Sequence, residues 1–384
     1  MRAFLETYGV AIFTLVLMAI LIAFAGPIGK IIKNVTNTQI ENIDTIATER
    51  IQNPDRPEEP KTAQDYVYAC LYNNGEVVLS AKEITNKENM KRDYGKVNLL
   101  SDTLPLWHEN ASEVLTARFE TAIKPTTCRG WFSEMINLTE IKNLEYLYTD
   151  QCQSMYRMFY KCQKLQNLNV QYFNTKNVTT MNSMFSMCQN IQYLNVSGFN
   201  TGNVVDANSM FANCENLKDL NVSNFNTSKM KHMSAMFANC KQLTYLDVSN
   251  FNTSKVVEMG QMFLYCQYVP ILDVSGWNTS NCTNMADMFG VCKELKVLDL
   301  SKWNTSKVGT MWHMFNHCDN LTNLDLSTFN TSNVKDMEMM FANTPLLITI
   351  TVGNGWTTAL AESNNKTTSM FWNCSTDHVT QNNI

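Results

Sequence analysis

The sequence predicts an α/β solenoid, a stack of short coils in which each coil supplies one short parallel strand and one short helix. Three observations predict it. Phenylalanine returns at Phe159, Phe185, Phe211, Phe237, Phe263, Phe289, Phe315 and Phe341, always 26 positions after the last and always preceded by methionine, from Met158 to Met340. Cysteine follows three positions later at Cys162, Cys188, Cys214, Cys240, Cys266, Cys292 and Cys318, until Thr344 breaks the register. Leucine-like residues come next, as in Leu243, Leu246 and Val248, and then an aromatic with Asn-Thr, as in Phe251, Asn252 and Thr253. One unit therefore reads MFxxCxxLxxLDVSxFNTSxVxxMxx. A period of about 20 to 50 residues marks a supersecondary unit that cannot bury its apolar face alone, so stability belongs to the array.

The unit divides by its own periodicity. Met233, Met236, Phe237 and Cys240 stand at i, i+3, i+4 and i+7, which predicts one face of a short helix. Leu246, Asp247 and Val248 alternate as a strand does. Asn-Thr-Ser reads as a turn, because Asn and Ser bond their own neighbouring backbone. Strand, turn and helix in each coil is leucine-rich-repeat architecture, although the usual Asn or Cys ladder position is not reproduced at its usual offset.

Before the repeats, residues 9–28 are almost wholly apolar, long enough to cross a bilayer as a helix. Residues 1–33 are expected to form an uncleaved anchor; the alternative is a signal peptide cut near Ala25, where Ala23-Phe24-Ala25 has the small-x-small form. Lys30 and Lys33 follow the span, where the positive-inside rule places them in the cytoplasm, against Arg2 and the free amine on the other side. Residues 34–63 read as a stalk ending in the linker Pro54-Asp55-Arg56-Pro57-Glu58-Glu59-Pro60, since proline cannot continue a helix. A small α+β cap is expected over 64–131. In it, Tyr66 to Tyr72 and Glu76 to Leu79 flank Asn73-Asn74-Gly75, a strong hairpin signal. The repeats proper occupy 132–352: Trp131 and Phe132 take the Met-Phe slots of a degenerate first unit, with Leu138 and Ile141 in its leucine slots. Residues 353–384 form a last degenerate unit, where Met370-Phe371-Trp372-Asn373-Cys374 echoes the motif.

Composition narrows the chemistry. A net charge of -5 with no basic block argues against a nucleic-acid partner. Twelve cysteines would suggest disulfides or metal, yet seven share one repeat column on the apolar face with no histidine column beside it. They are expected to be buried small side chains, with oxidation between adjacent coils left open by their spacing. His313 and His317 have the i, i+4 spacing of two helical metal ligands but lack a third, so neither a metal nor a cofactor is expected. No phosphate-cradling glycine loop and no triad appears, and no catalytic residue is assigned. The column Asn169, Asn195, Asn221, Asp247, Asp273, Asp299 and Asp325 is expected to be a hydrogen-bonded turn ladder, its carboxylates relieved by Ser249, Ser275, Ser301 and Ser327; a cation is the competing reading. Asn-x-Ser/Thr tripeptides such as Asn226-Thr227-Ser228 follow from the turn chemistry.

Specificity is expected where units differ. Two positions before that column stand Asn167, Tyr193, Asp219, Tyr245, Ile271, Val297 and Asn323, which alternation with the buried leucines places on the outer strand face. Aromatic residues on such a face are candidate hot spots. The MFxxC, LxxLDVSxFNTS and VxxM parts, with the hairpin at 66–79 and the run from Ala122-Ile123-Lys124-Pro125 to Gly130-Trp131-Phe132, resemble the BspA-like bacterial surface proteins over roughly residues 64–375. That resemblance implies a surface-displayed or secreted, adhesive protein of bacteria or some protists. The cell-wall sorting tail of many relatives is not seen here, which would leave attachment to residues 9–28. The expected function is non-catalytic binding of an extracellular protein or glycan, with a structural spacer or assembly subunit as the alternative.

Overall fold

The computed structural model describes residues 56–99 and 103–381. The membrane segment expected at 9–28 lies outside them, as does most of the stalk; among the described residues no helix is long and apolar enough to cross a membrane. One compact unit begins at Pro57.

Its first layer is a five-stranded sheet. Strands β1 (Tyr66–Tyr72), β2 (Glu76–Ser80), β3 (Met90–Asn98), β4 (Thr116–Phe119) and β5 (Glu140–Lys142) lie in the order β3-β1-β2-β4-β5. The hairpin forms where Asn-Asn-Gly predicts it. Gly75 has φ +80°, and a Cβ there would lie 2.7 Å from Leu115 Cγ, so both conformation and space demand glycine. The Asn74 side chain accepts from Glu76 N–H to fix the turn. Pairing is antiparallel within β3-β1-β2 and parallel from β2 through β4 to β5, so the sheet converts from hairpin to solenoid geometry. The helical part of the cap is a 3-10 helix, Leu106–Glu113.

From Phe132 onward the coils stack in register. Ten rings, from Phe132 through the 26-residue series to Phe341 and Phe371, form one column with neighbouring centroids 5.5–5.9 Å apart and planes within 17° of parallel. Phe132 and Phe371 thus belong to the array as the two degenerate units require. A second column includes Phe251, Trp277, Trp303 and Phe329 at 6.2–6.5 Å. Cap and coils share one core, since Phe119 stacks on Trp131 at 6.1 Å and the buried cluster runs from Val67 to Met370.

The helix expected in each coil is absent. An α-helix closes every N–H onto a carbonyl four residues back, within the segment. Here the N–H groups of Ala235, Phe237 and Asn239 instead reach the next coil, at Gly260, Met262 and Leu264 carbonyls 2.7–3.0 Å away. The N–H groups between them, on Met236, Ala238 and Cys240, close three-residue turns onto Met233, Ala235 and Phe237. The segment is a train of tight turns, with Ala235 and Asn239 at positive φ. Turns that advance three or four residues apiece repeat apolar side chains at the same offsets as a helix, and stacking selects them because they free alternate N–H groups to bind the coil above. The only α-helix among the described residues, Ala359–Ser363, absorbs the four extra residues between Phe341 and Phe371.

The strands are shorter than expected. Parallel pairing reaches strand length at β6 (Asn323–Leu326), β7 (Thr349–Val352) and β8 (Thr380–Gln381), while other coils meet through single bridges such as Tyr193 to Asp219 and Ile271 to Val297.

Candidate interaction face

Two ladders of side-chain bonds join coil to coil, and a third fixes the turn within each coil. The threonine of each Asn-Thr-Ser turn is buried, and its hydroxyl faces the next coil: Thr227 donates to Asn252 carbonyl at 3.1 Å and accepts from Asn252 N–H at 2.7 Å. Each column cysteine donates to the phenylalanine carbonyl of the preceding coil, as Cys240 Sγ does to Phe211 at 3.2 Å. All twelve cysteines are free thiols. Burial raises the thiol pKa along the column, to about 12 at Cys214 and Cys266. The Asx column is the turn ladder predicted for it: Asp247 Oδ1 accepts from Ser249 N–H at 3.1 Å and Oγ at 2.7 Å, and Asp273 does the same with Ser275. Ser301 holds the Asp299 carboxyl below its ordinary pKa by its hydroxyl and N–H.

These ladders position the outer face. Leu220, Leu246 and Leu272 turn inward and are buried, so the residue before each turns out. Tyr193 is 64% exposed, Tyr245 62%, Ile271 68% and Val297 66%, and Asn167, Asp219 and Asn323 are exposed in the same column. Backbone bonds beside it, Lys218 N–H to Gln192 carbonyl at 2.9 Å and Lys296 N–H to Pro270 carbonyl at 3.2 Å, fix the face where the strands are no longer than a bridge. The sequence reading missed three further exposed apolar residues, Tyr268, Leu346 and Ile348, the last at 69%. They stand outside the column defined by repeat position, and only their apolar character against polar counterparts such as Gln192 and Thr322 could have marked them.

The two histidines do not converge. His313 Nδ1 lies 3.5 Å from Asp287 and its Nε2 lies 3.1 Å from Met339 Sδ, while His317 faces Asp319 at 3.7 Å. Among the described residues no group of three or more His, Cys, Asp or Glu side chains could hold a metal.

No curated protein matches the chain. Solved structures similar to it include a leucine-rich repeat protein from Bacteroides ovatus ATCC 8483, 12% identical, with 84% of this chain and 99% of that one covered at a TM-score of 0.30. A likeness that loose does not bear on the fold. The repeats match a family at residues 126–245, 153–270, 188–294 and 266–383, overlapping segments that run without a gap from 126 to 383. The chain belongs to that family, described as Mycoplasma protein of unknown function, DUF285.

Proposed function

We propose that this chain is a non-catalytic binding protein displayed outside the cell, and that it holds a protein or glycan partner on the outer strand face. One observation carries the reading. Tyr193, Tyr245, Ile271 and Val297 lie largely exposed on a backbone whose alternate side chains are locked in the core, an apolar and aromatic row with no covering element among the described residues. Such rows on a rigid frame lose little conformational freedom on binding and supply hot-spot contacts. The resemblance of the repeat to BspA-like surface proteins supports display outside the cell. The spacer reading draws on the continuous ring column, which would serve a stiff rod equally well.

The test is capture of extracellular-matrix proteins and cell-surface glycans by the full-length chain and by a Tyr193→Ala/Tyr245→Ala variant. Both tyrosines are outward, so the variant keeps its unfolding midpoint. Its affinity for captured partners falls about tenfold or more, as expected for truncated anchors. Unchanged affinity in the variant would remove the strand face as the site, and no capture by the parent would favour the spacer.

A further inference from the structure

A second surface carries uncompensated positive charge. Arg129, Tyr156, Arg157 and Tyr160 form a stack, with the Arg129 guanidinium 4.0 Å from the Tyr156 ring centre and the Arg157 guanidinium 5.1 Å from Tyr156 and 4.7 Å from Tyr160. Lys161 lies over Tyr160 too, but it is paired with Glu134 at 3.2 Å, and Glu134 also faces His108 at 3.8 Å. No carboxylate among the described residues pairs with either arginine, and the Nε of each is buried without a hydrogen-bond partner. Tyrosine stacking orients both guanidiniums without neutralising them. In a chain of net charge -5, two such groups against one tyrosine ring are a local exception.

Arg157 and Tyr160 line one end of a groove of about 350 Å³ that crosses five coils to Gln261 and Leu264. Its middle is floored by small residues and amides, among them Ser209, Asn213, Ala235 and Asn239. It is made by the turn-train positions, a different column from the strand face.

We propose that this groove binds an extended oligosaccharide bearing carboxylates, with one carboxylate at Arg157, Arg129 adding positive charge from the same Tyr156 ring, and the sugar chain lying across the coils toward Gln261. A planar guanidinium fork matches a carboxylate in two parallel bonds. Amide and hydroxyl groups of Ser183, Ser209, Asn213 and Asn239 suit sugar hydroxyls, and Met187 and Leu264 beside them suit the apolar faces of sugar rings.

The experiment is calorimetric titration of the full-length chain with a six-unit oligogalacturonate, with monomeric galacturonate, and with hexaglutamate as the peptide polyanion. Expected are saturable binding of the hexasaccharide, affinity at least about tenfold weaker for the other two, and a loss of about tenfold or more in an Arg129→Gln/Arg157→Gln variant whose unfolding midpoint matches the parent. The Tyr193→Ala/Tyr245→Ala variant binds the hexasaccharide as the parent does, which separates this site from the strand face. Absence of hexasaccharide binding, unchanged binding in the arginine variant, or equal affinity for the monomer or for hexaglutamate would each overturn the proposal.

Discussion

A single hydroxyl shows how the array is held together. Thr227 is buried, and its Oγ1 both donates to Asn252 carbonyl and accepts from Asn252 N–H, so one side chain satisfies two backbone groups of the next coil. Thr175, Thr279 and Thr305 repeat the double bond to Asn200, Asn304 and Asn330. Valine has nearly the same shape and neither function. Thr227→Val therefore leaves a buried donor and a buried acceptor unpaired and should lower the stability by about 2 kcal/mol, within the roughly 1 to 3 kcal/mol that an orphaned buried polar group costs. Thr227→Ser keeps the hydroxyl and should lose less than half of that. Urea unfolding of the two variants beside the parent measures the difference; equal losses would mean that the methyl group matters and the hydroxyl does not.

At the scale of the element, the turn train makes a prediction opposite in sign to the helix it resembles in sequence. Ala235 sits at φ +54°, where a Cβ crowds the backbone by about 1 to 2 kcal/mol per residue. Ala235→Gly removes that crowding, so it should be neutral or stabilising by up to about 1 kcal/mol, whereas alanine to glycine inside a helix destabilises by roughly 1 kcal/mol. A clear fall in unfolding midpoint would mean that a helix is present after all. The coil period, the Asn-Asn-Gly hairpin and the two degenerate end units could all be read from residue spacing, because each rests on a local requirement. The turn train could not: Met233, Met236, Phe237 and Cys240 keep their offsets in either conformation, and the choice is made by N–H groups that bind another coil. The outer row from Asn167 to Asn323 was legible for the same reason as the hairpin, since period-two alternation beside buried leucines has only one outward side. The groove at Arg157 was not, because its walls are positions that the helical reading assigns elsewhere.

Across the whole molecule, identical environments repeat, so small effects add with a common sign. The column cysteines are the clearest case. Desolvation is the leading cause at every one, raising thiols from an ordinary 9.0 to about 12 at Cys214 and Cys266 and upward at Cys162, Cys188, Cys240, Cys292 and Cys318. Cys282, outside the column, is raised to about 12 and Cys70, in the cap, to about 11. In the unfolded chain these thiols ionise near 9.0, while in the folded chain they keep their protons. Between pH 9 and about 12 the folded state therefore binds more protons than the unfolded one, and stability falls as pH rises; below 9 both states are protonated and the contribution is complete. Each such thiol tilts the curve by up to about 1.4 kcal/mol per pH unit, so a column of seven gives a steep decline where a domain with one buried thiol would show a shallow one. Urea midpoints under reducing conditions should be nearly flat from pH 7 to 8.5 and then drop sharply toward pH 10.5. Cys214→Ala should begin from a lower midpoint, because it loses the Sγ bond to Phe185 carbonyl, yet decline less steeply by about one thiol's share. Equal slopes in the two proteins would mean that the thiols ionise as readily inside the stack as outside it, and that the coils do not exclude water from the column.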